Sequence, residues 1–241
     1  KAGCRYFTDS RYIESAEKGL KGFEVLEMNR ENNYIKRLND AIADFGVKTL
    51  GFEEEYLTVA ELQYYEKELN AKLVPYNAKI HQFRGSKEEW ELELMRKAQE
   101  ITDQAFAEVL TRLKPGMTEK QLQAELIYCL YKNGAHGLSF DPIVISGPKT
   151  SVPHGVAGDR VIGEGEFITM DFGALYHGYC SDMTRTVAVG FVTEEMEKVY
   201  NRMGVRENGE SKTGCEYYQL YPSGRQCCAW FCFCGNITLL A

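Results

Sequence analysis

The sequence predicts an α/β unit followed by a unit of the α+β class. Three observations carry this prediction. Short β-type runs alternate with helix-type runs over the first eighty residues. A long amphipathic pattern then begins near Ser86, and from Ser139 onward the pattern is that of strands. We therefore expect domains at 1–80 and 81–200, with a tail of different character at 201–241.

Five elements are predicted in the first unit. They are strands over Cys4–Asp9, Phe23–Met28 and Lys48–Phe52, and helices over Asn33–Phe45 and Thr58–Leu69. Strands that alternate with helices indicate a small sheet with crossover helices. Because the first strand begins almost at the first residue, we expect this domain to be partial.

The second unit is predicted to open with two helices. Ser86 and Glu89 have the spacing of a capping box, and apolar residues then recur at helical intervals. Pro115–Gly116 ends this first long helix. Thr118 and Gln121 form a second pair with capping-box spacing, which predicts the start of another helix. The domain boundary is therefore expected just before the first of these helices, within 76–86.

A strand-rich segment follows the helices. It is predicted to contain a strand over Asp141–Ser146, a turn at Gly147–Pro148 and a loop that carries His154. Two further strands are predicted around Phe167–Phe172 and Tyr179–Val189. These two strands flank the short segment Leu175–Gly178, so we expect them to pair as an antiparallel hairpin.

Composition narrows the range of partners. The formal net charge of −7 leaves no basic surplus for binding nucleic acid. No run of eighteen apolar residues is present and the first residues do not resemble a signal peptide, so we expect no membrane contact and a cytoplasmic location. Few cysteines precede residue 200, which favours a reduced compartment.

The tail has a different composition. Five of the eight cysteines lie after residue 200, but their spacing gives no two separated C-x-x-C pairs and no histidine lies nearby. We therefore do not expect them to form a zinc site. We favour a sequence not selected for this fold, as from a shifted reading frame, over a divergent local extension.

Two aspartates stand out in the predicted hairpin. A turn centred between Tyr176 and His177 would place Asp171 directly opposite Asp182, with Cβ atoms about 5 Å apart. Two ionised carboxylates at that distance repel, so a shared proton, a basic side chain or a bound cation must offset the repulsion. Arg185 could neutralise the pair, or a bulge could separate it. A cation of the Mn, Mg or Zn type would suit carboxylate ligands.

Histidines provide a second candidate. His154 follows Pro153 in the loop that leads to the aspartate hairpin, where a side chain can reach a neighbouring cleft. A single loop histidine is more often only solvated. For His81, His136 and His177, which lie near turns, linkers or helix ends, we expect no functional role.

Three ordered motifs resemble those of the aminopeptidase P and prolidase group of metallopeptidases, which share the creatinase or pita-bread fold. The motifs are Ser139–Gly155, Met170–Gly173 and Ser181–Thr186. Two more runs are similar to the group's N-terminal domain and to the start of its catalytic domain: Tyr6–Tyr12 and Glu88–Ala98. The resemblance spans roughly 5–200. It implies part of a creatinase-like N-terminal domain followed by the first half of a pita-bread domain.

The resemblance also implies a chemistry. Asp171 would bind one metal and Asp182 would bridge two, while His154 would contact the substrate and stabilise the tetrahedral intermediate. Members of the group hydrolyse the bond before proline in the second position of a peptide, with a metal-bridging hydroxide as the nucleophile. Two divalent ions are expected, Mn first and Co or Zn as alternatives. A homodimer is also expected from resemblance.

The sequence departs from this pattern after Asp182. The group's remaining ligands are a histidine in a Gly-His-Gly context and two glutamates, whereas no histidine follows His177 here. We therefore expect weak metal binding, little or no peptidase activity and low stability for this 241-residue chain. The alternatives are a non-catalytic pita-bread peptide-binding module and a creatinase-like amidinohydrolase.

Overall fold

The computed structural model describes residues 3–198, 217–220 and 226–230. The chain divides into two compact units, Lys1–Ser86 and Lys87–Ala241. Each unit has its own sheets and helices, so the two are described in turn.

The first unit contains two separate parallel strand pairs. The strands are β1 (Cys4–Thr8) with β2 (Phe23–Glu27), and β3 (Thr49–Phe52) with β4 (Lys72–Pro75). The helices are α1 (Ile13–Gly19), α2 (Tyr34–Phe45), α3 (Val59–Glu68) and α4 (Asn77–Gly85). The predicted strands and crossover helices are confirmed. The strands form two separate pairs, however, where a single small sheet was predicted. Helices α1 and α4 and strand β4 were not predicted, because each is too short to show a sustained apolar period.

Two long helices open the second unit, α5 (Glu89–Arg112) and α6 (Glu119–Lys132). The capping box predicted at Ser86 is wrong, because α4 continues to Gly85 and Ser86 ends it. Glu88 caps α5 instead, with the side chain of Glu91 completing the reciprocal pair. The capping box that begins at Thr118 is confirmed. Within the described residues, no helix combines the length and apolarity needed to cross a bilayer.

Two sheets follow the helices. The larger has the strand order β12, β11, β10, β7, β6, with β6 (Ile143–Ser146), β7 (Glu166–Phe172), β10 (Met183–Val189), β11 (Tyr217–Leu220) and β12 (Gln226–Trp230). The smaller has the order β5, β8, β9, with β5 (Gly137–Leu138), β8 (Ala174–Tyr176) and β9 (Tyr179–Cys180). The predicted turn at Gly147–Pro148 is the start of a 3-10 helix, Gly147–Ser151.

Alternation along the strands separates a buried face from a polar one. Ile168, Met170 and Phe172 of β7 are fully buried and belong to the core that α5 and α6 also line. Thr169 and Asp171 point to the other face and are partly exposed. The packing of the helices on one face therefore fixes which face of the sheet is left to carry polar side chains.

The hairpin passes from the larger sheet to the smaller at Gly173. A Cβ at this position would overlap the carbonyl oxygen of Ser181 and lie 2.8 Å from Ser139 Oγ. The predicted continuous strand Tyr179–Val189 is therefore wrong, because the chain leaves one sheet and joins the other at 181–182. Only glycine permits so close an approach of the two chain segments.

We predict that Gly173→Ala lowers the free energy of unfolding by about 3 kcal/mol, because the added methyl group forces the hairpin apart at its sheet junction. Gly163→Ala is the matched control, since a Cβ there meets nothing closer than Glu166 Oε1 at 3.5 Å. Denaturant unfolding of both variants measures the difference. Equal stability of the two variants would contradict the close approach at Gly173.

Candidate functional site

The hairpin register differs from the prediction by one position in the turn. Tyr176 pairs with Tyr179, so the turn residues are His177 and Gly178, with φ values of 47° and 88°. Two positive φ angles define the tight hairpin turn whose twist matches that of the strands. The predicted direct pairing of Asp171 with Asp182 is therefore wrong.

Asp171 instead lies opposite Thr184 in β10 and opposite Ile143 in β6. Asp182 comes immediately before β10, at the level of Gly173. In this register the two aspartates are diagonal neighbours on the same face of the hairpin. The error in the turn changes their pairing but leaves them adjacent.

The two carboxyl groups are in contact. The pKa of Asp182 is raised, first by burial and then by the charge of Asp171 and a hydrogen bond with its carboxyl group. Asp182 is exposed by surface area, yet its carboxyl is surrounded closely enough by protein that desolvation is the largest cause. Without a cation, protonation of Asp182 relieves this repulsion.

The register also tests two alternatives to a bound cation: neutralisation by Arg185 and separation of the aspartates by a bulge. Arg185 lies opposite Met170, so its side chain starts on the other face of the sheet from Asp171. Pairing between β7 and β10 runs without a shift, which excludes a bulge between them. On the aspartate face, Thr184 Oγ1 donates a hydrogen bond to Asp171 Oδ1 at 2.9 Å. A neutral hydroxyl orients that carboxylate and leaves its charge in place.

Ser181 fixes the chain next to Asp182. Its Oγ lies 2.6 Å from Thr102 Oγ1 in α5 and accepts the backbone N–H of Ala174 at 2.9 Å. Ser139 Oγ donates to the carbonyl oxygen of Ser181 at 2.7 Å. Thr102 and Ser181 are buried, so these bonds form where water does not compete. The sequence analysis gave no role to Thr102, which lies 79 positions from its partner.

His154 lies in an exposed loop after the 3-10 helix and has a left-handed backbone with φ 57°. The next residue, Gly155, is buried, and a Cβ there would lie 3.0 Å from Ile145 Cγ2. Ile145 pairs with Thr169, on the same sheet face as Asp171. The loop that carries His154 therefore packs on the aspartate-bearing face.

A buried carboxylate lies beneath this loop. Glu119, at the first position of α6, accepts Ser146 N and Oγ at 2.8 and 3.0 Å through Oε1. Its Oε2 accepts Lys149 Nζ at 2.7 Å and Gly158 N at 2.9 Å. Burial acts to raise the pKa of Glu119, but these hydrogen bonds outweigh it and the pKa is lowered. No sequence pattern singled out Glu119, which lies between Thr118 and Gln121 of the capping box.

A partly buried ion pair adjoins this carboxylate. Arg160 donates to Ser146 Oγ at 2.7 Å and forms an ion pair with Glu166 at 2.5 Å. Glu166 also accepts the backbone N–H of Gly163. Burial acts to raise the pKa of Glu166, but the bonds from Arg160 and Gly163 lower it overall. The loop is thus tied to both α6 and β7.

The other histidines have different partners. The rings of His136 and His177 are 4.4 Å apart, and His136 Nδ1 accepts the backbone N–H of His177 at 3.4 Å. His81 Nε2 lies 3.7 Å from a carboxylate oxygen of Glu55. Over the described ranges, no group of three or more histidine, cysteine or acidic side chains could hold a metal ion. The side chains of the tail cysteines lie outside the described residues.

Comparison with known families identifies both units. Residues 1–85 match the creatinase/prolidase N-terminal domain, and residues 93–204 match metallopeptidase family M24. An uncharacterized peptidase of Bacillus subtilis, YqhT, is 40% identical over 196 residues, covering 81% of this chain and 55% of the relative. A Xaa-Pro dipeptidase of Pyrococcus horikoshii is 35% identical over 156 residues, covering 64% of this chain and 44% of that protein.

Solved structures show the same fold. A Xaa-Pro dipeptidase from Bacillus anthracis superposes with a TM-score of 0.76 at 36% identity, covering 82% of this chain and 55% of that structure. An X-Pro aminopeptidase from Thermotoga maritima gives a TM-score of 0.76 at 36% identity, with 82% and 56% covered. The architecture is that of a pita-bread metallopeptidase. The chain belongs to the M24 family and joins a creatinase-type N-terminal domain to part of an M24 domain. It spans about half the length of these relatives.

We predict that Asp182→Asn raises the melting temperature of the metal-free protein at pH 7. The substitution removes one of two carboxylates that repel each other, and the raised pKa of Asp182 shows that its ionisation opposes folding. Asp141→Asn, at an exposed aspartate outside the pair, is the control. Calorimetry in the presence of a chelator makes the comparison. A lower melting temperature for Asp182→Asn would show that a positive group already neutralises the pair.

A second prediction concerns acid stability. The pKa of Glu166 is lowered from 4.5, so its contribution to stability is present above pH 4.5 and is lost as the pH falls through the folded-state pKa. We expect Glu166→Gln to cost about 2 kcal/mol at pH 7, because a charge-assisted bond to Arg160 is lost, and to flatten the acid dependence. Urea unfolding between pH 7 and pH 3 measures both effects. Glu164→Gln, exposed and two positions away, should change neither.

Proposed function

We propose that this chain carries part of the active site of a Xaa-Pro peptidase. Asp171 and Asp182 would be ligands of a pair of divalent ions, and His154 would contact the substrate. The observation that supports this most directly is the contact between two carboxyl groups, in which burial and then the charge of Asp171 raise the pKa of Asp182. A cation removes that repulsion, and carboxylate oxygens are ligands suited to Mn²⁺, the metal we favour.

The residues around the pair suit this role. Thr184 orients Asp171 through a hydrogen bond of 2.9 Å, and the bonds made by Ser181 hold the backbone beside Asp182. Such outer contacts fix the direction in which a ligand presents its oxygen atoms. When bound, divalent ions in such a site would lower the pKa of water and polarise the scissile carbonyl group. His154 can donate a proton or a hydrogen bond to the substrate from its loop on the same sheet face.

The two aspartates fit as part of a ligand set. In the portion of the chain that the structure describes, no third acidic, histidine or cysteine side chain joins them in a group able to hold a metal. Two ligands cannot fix two ions in a catalytic geometry. We therefore propose that this 241-residue chain binds metal weakly and hydrolyses Xaa-Pro peptides slowly or not at all. Manganese, a homodimer and a cytoplasmic location stay predictions.

Metal titration tests the ligand assignment. Calorimetry with Mn²⁺, Co²⁺ and Zn²⁺ should show weak binding that Asp182→Asn weakens by at least about tenfold, since even an outer contact of a ligand is worth that factor. Thr186→Val is the matched control, because Thr186 lies on the same face and bonds Thr169 at 3.0 Å. Binding that is equal in the wild-type chain and in Asp182→Asn would exclude Asp182 as a ligand.

An assay with Ala-Pro and a creatine control tests the substrate class. Slow, metal-dependent release of proline that Asp182→Asn abolishes supports the peptidase. Peptide binding that needs no metal and is unchanged in Asp182→Asn would favour the non-catalytic peptide-binding module. Hydrolysis of creatine in place of Ala-Pro would favour the amidinohydrolase.

A further inference from the structure

The loop between β6 and β7 has an ionic support that the proposed function does not use. We infer that Glu119 and Lys149 are positioning residues for His154, which they hold over the aspartate-bearing sheet face. This inference rests on the proposed role of His154 in contacting the substrate. It adds two residues that would act through the loop without touching the substrate.

The first step is the state of Glu119. Its carboxyl group is fully buried and accepts four hydrogen bonds, two on each oxygen, from Ser146, Lys149 and Gly158. Four acceptor sites are the full capacity of a carboxylate. A buried charge with this set of donors is costly to leave unpaired, so the ammonium group of Lys149 is held tightly to it.

The second step is the pair of contacts that the Lys149 ammonium group makes. Its Nζ bonds Glu119 at 2.7 Å and also donates to the carbonyl oxygen of Val156 at 2.6 Å. His154 lies between Lys149 and Val156 in the chain, so one ammonium group closes the loop around it. Glu119 also binds Gly158 N just beyond the loop, which fixes the returning segment.

The third step is the backbone of His154. A left-handed conformation is unfavourable for a residue with a side chain and persists only where the surroundings hold it. Gly155 packs on Ile145 on one side, and the Lys149–Val156 bond ties the other side. These contacts therefore set the direction in which the imidazole group leaves the loop.

A purely structural role for the same contacts makes a different prediction. Glu119 opens α6, and its backbone N–H bonds the carbonyl oxygen of Arg160. If Glu119 and Lys149 only anchored that helix, their loss would loosen α6 and the loop together. If they position His154, the loop and its imidazole group change while α6 remains protected from exchange.

The test uses the whole chain with Lys149→Met, Lys149→Arg and Lys120→Met. Lys120 forms the neighbouring exposed pair with Asp159 at 3.0 Å, so its loss is the matched control. We expect amide exchange over 150–157 to quicken by about tenfold or more in Lys149→Met, and the His154 imidazole NMR signal to shift. Lys149→Arg should restore most of the wild-type signal, and Lys120→Met should leave it unchanged.

Two results would overturn the inference. One is an unchanged His154 signal in Lys149→Met, and the other is equal loss of protection in α6 and in the loop. Glu119→Gln is a second variant, in which an amide NH₂ group would face donors that the carboxylate now accepts. The Lys149 variants keep the test valid if Glu119→Gln fails to fold, because the Lys149 side chain is one-third exposed.

Titration with Ala-Pro separates this inference from the proposed function. If Ala-Pro shifts the wild-type His154 signal and Lys149→Met leaves that response unchanged, the positioning inference is wrong and the proposed function stands. If Ala-Pro leaves the wild-type signal unchanged while Lys149→Met still loosens the loop, the role of His154 in the proposed function is wrong. The positioning contacts are then supported on their own.

Discussion

The contact between the carboxyl groups of Asp171 and Asp182 is the interaction on which the site depends. Burial and then the charge of Asp171 raise the pKa of Asp182, so ionisation of the pair opposes folding. Several favourable contacts hold the two carboxyl groups near each other. They are the hydrogen bond from Thr184, the buried hydroxyl pair of Ser181 and Thr102, and the close approach at Gly173. Such support for an unfavourable arrangement is typical of a site kept for its chemistry.

Much of the fold follows from local patterns in the sequence. The long helices show a sustained apolar period, and strands β1, β2 and β3 of the first unit follow from the alternation of β-type and helix-type runs. The hairpin register could not be fixed in this way. His177 was expected in the turn, but the turn was centred between Tyr176 and His177, whereas the turn residues are His177 and Gly178. Placing the turn one residue too early produced the wrong pairing of the aspartates.

The hydrogen bonds that hold the site could not be predicted from sequence patterns, for a different reason. Glu119 and Ser146 are 27 positions apart, and Thr102 and Ser181 are 79 apart. Neither pair has a characteristic local spacing, because each is created when a helix packs against a strand or loop. The aspartates were identified because a hairpin brings them together within a short stretch of chain. Residues that act through tertiary contacts become visible only in the folded structure.

The junction at Gly173 couples two sheets that would otherwise open independently. The same two segments of chain belong to the larger sheet on one side of Gly173 and to the smaller sheet on the other. Ser181 bonds Ala174 of the smaller sheet and directly precedes Asp182. Transient opening of the smaller sheet must therefore displace Asp182, which directly precedes β10 of the larger sheet. The two sheets thus form a single cooperative unit, and local fluctuations in one change the position of the carboxyl groups.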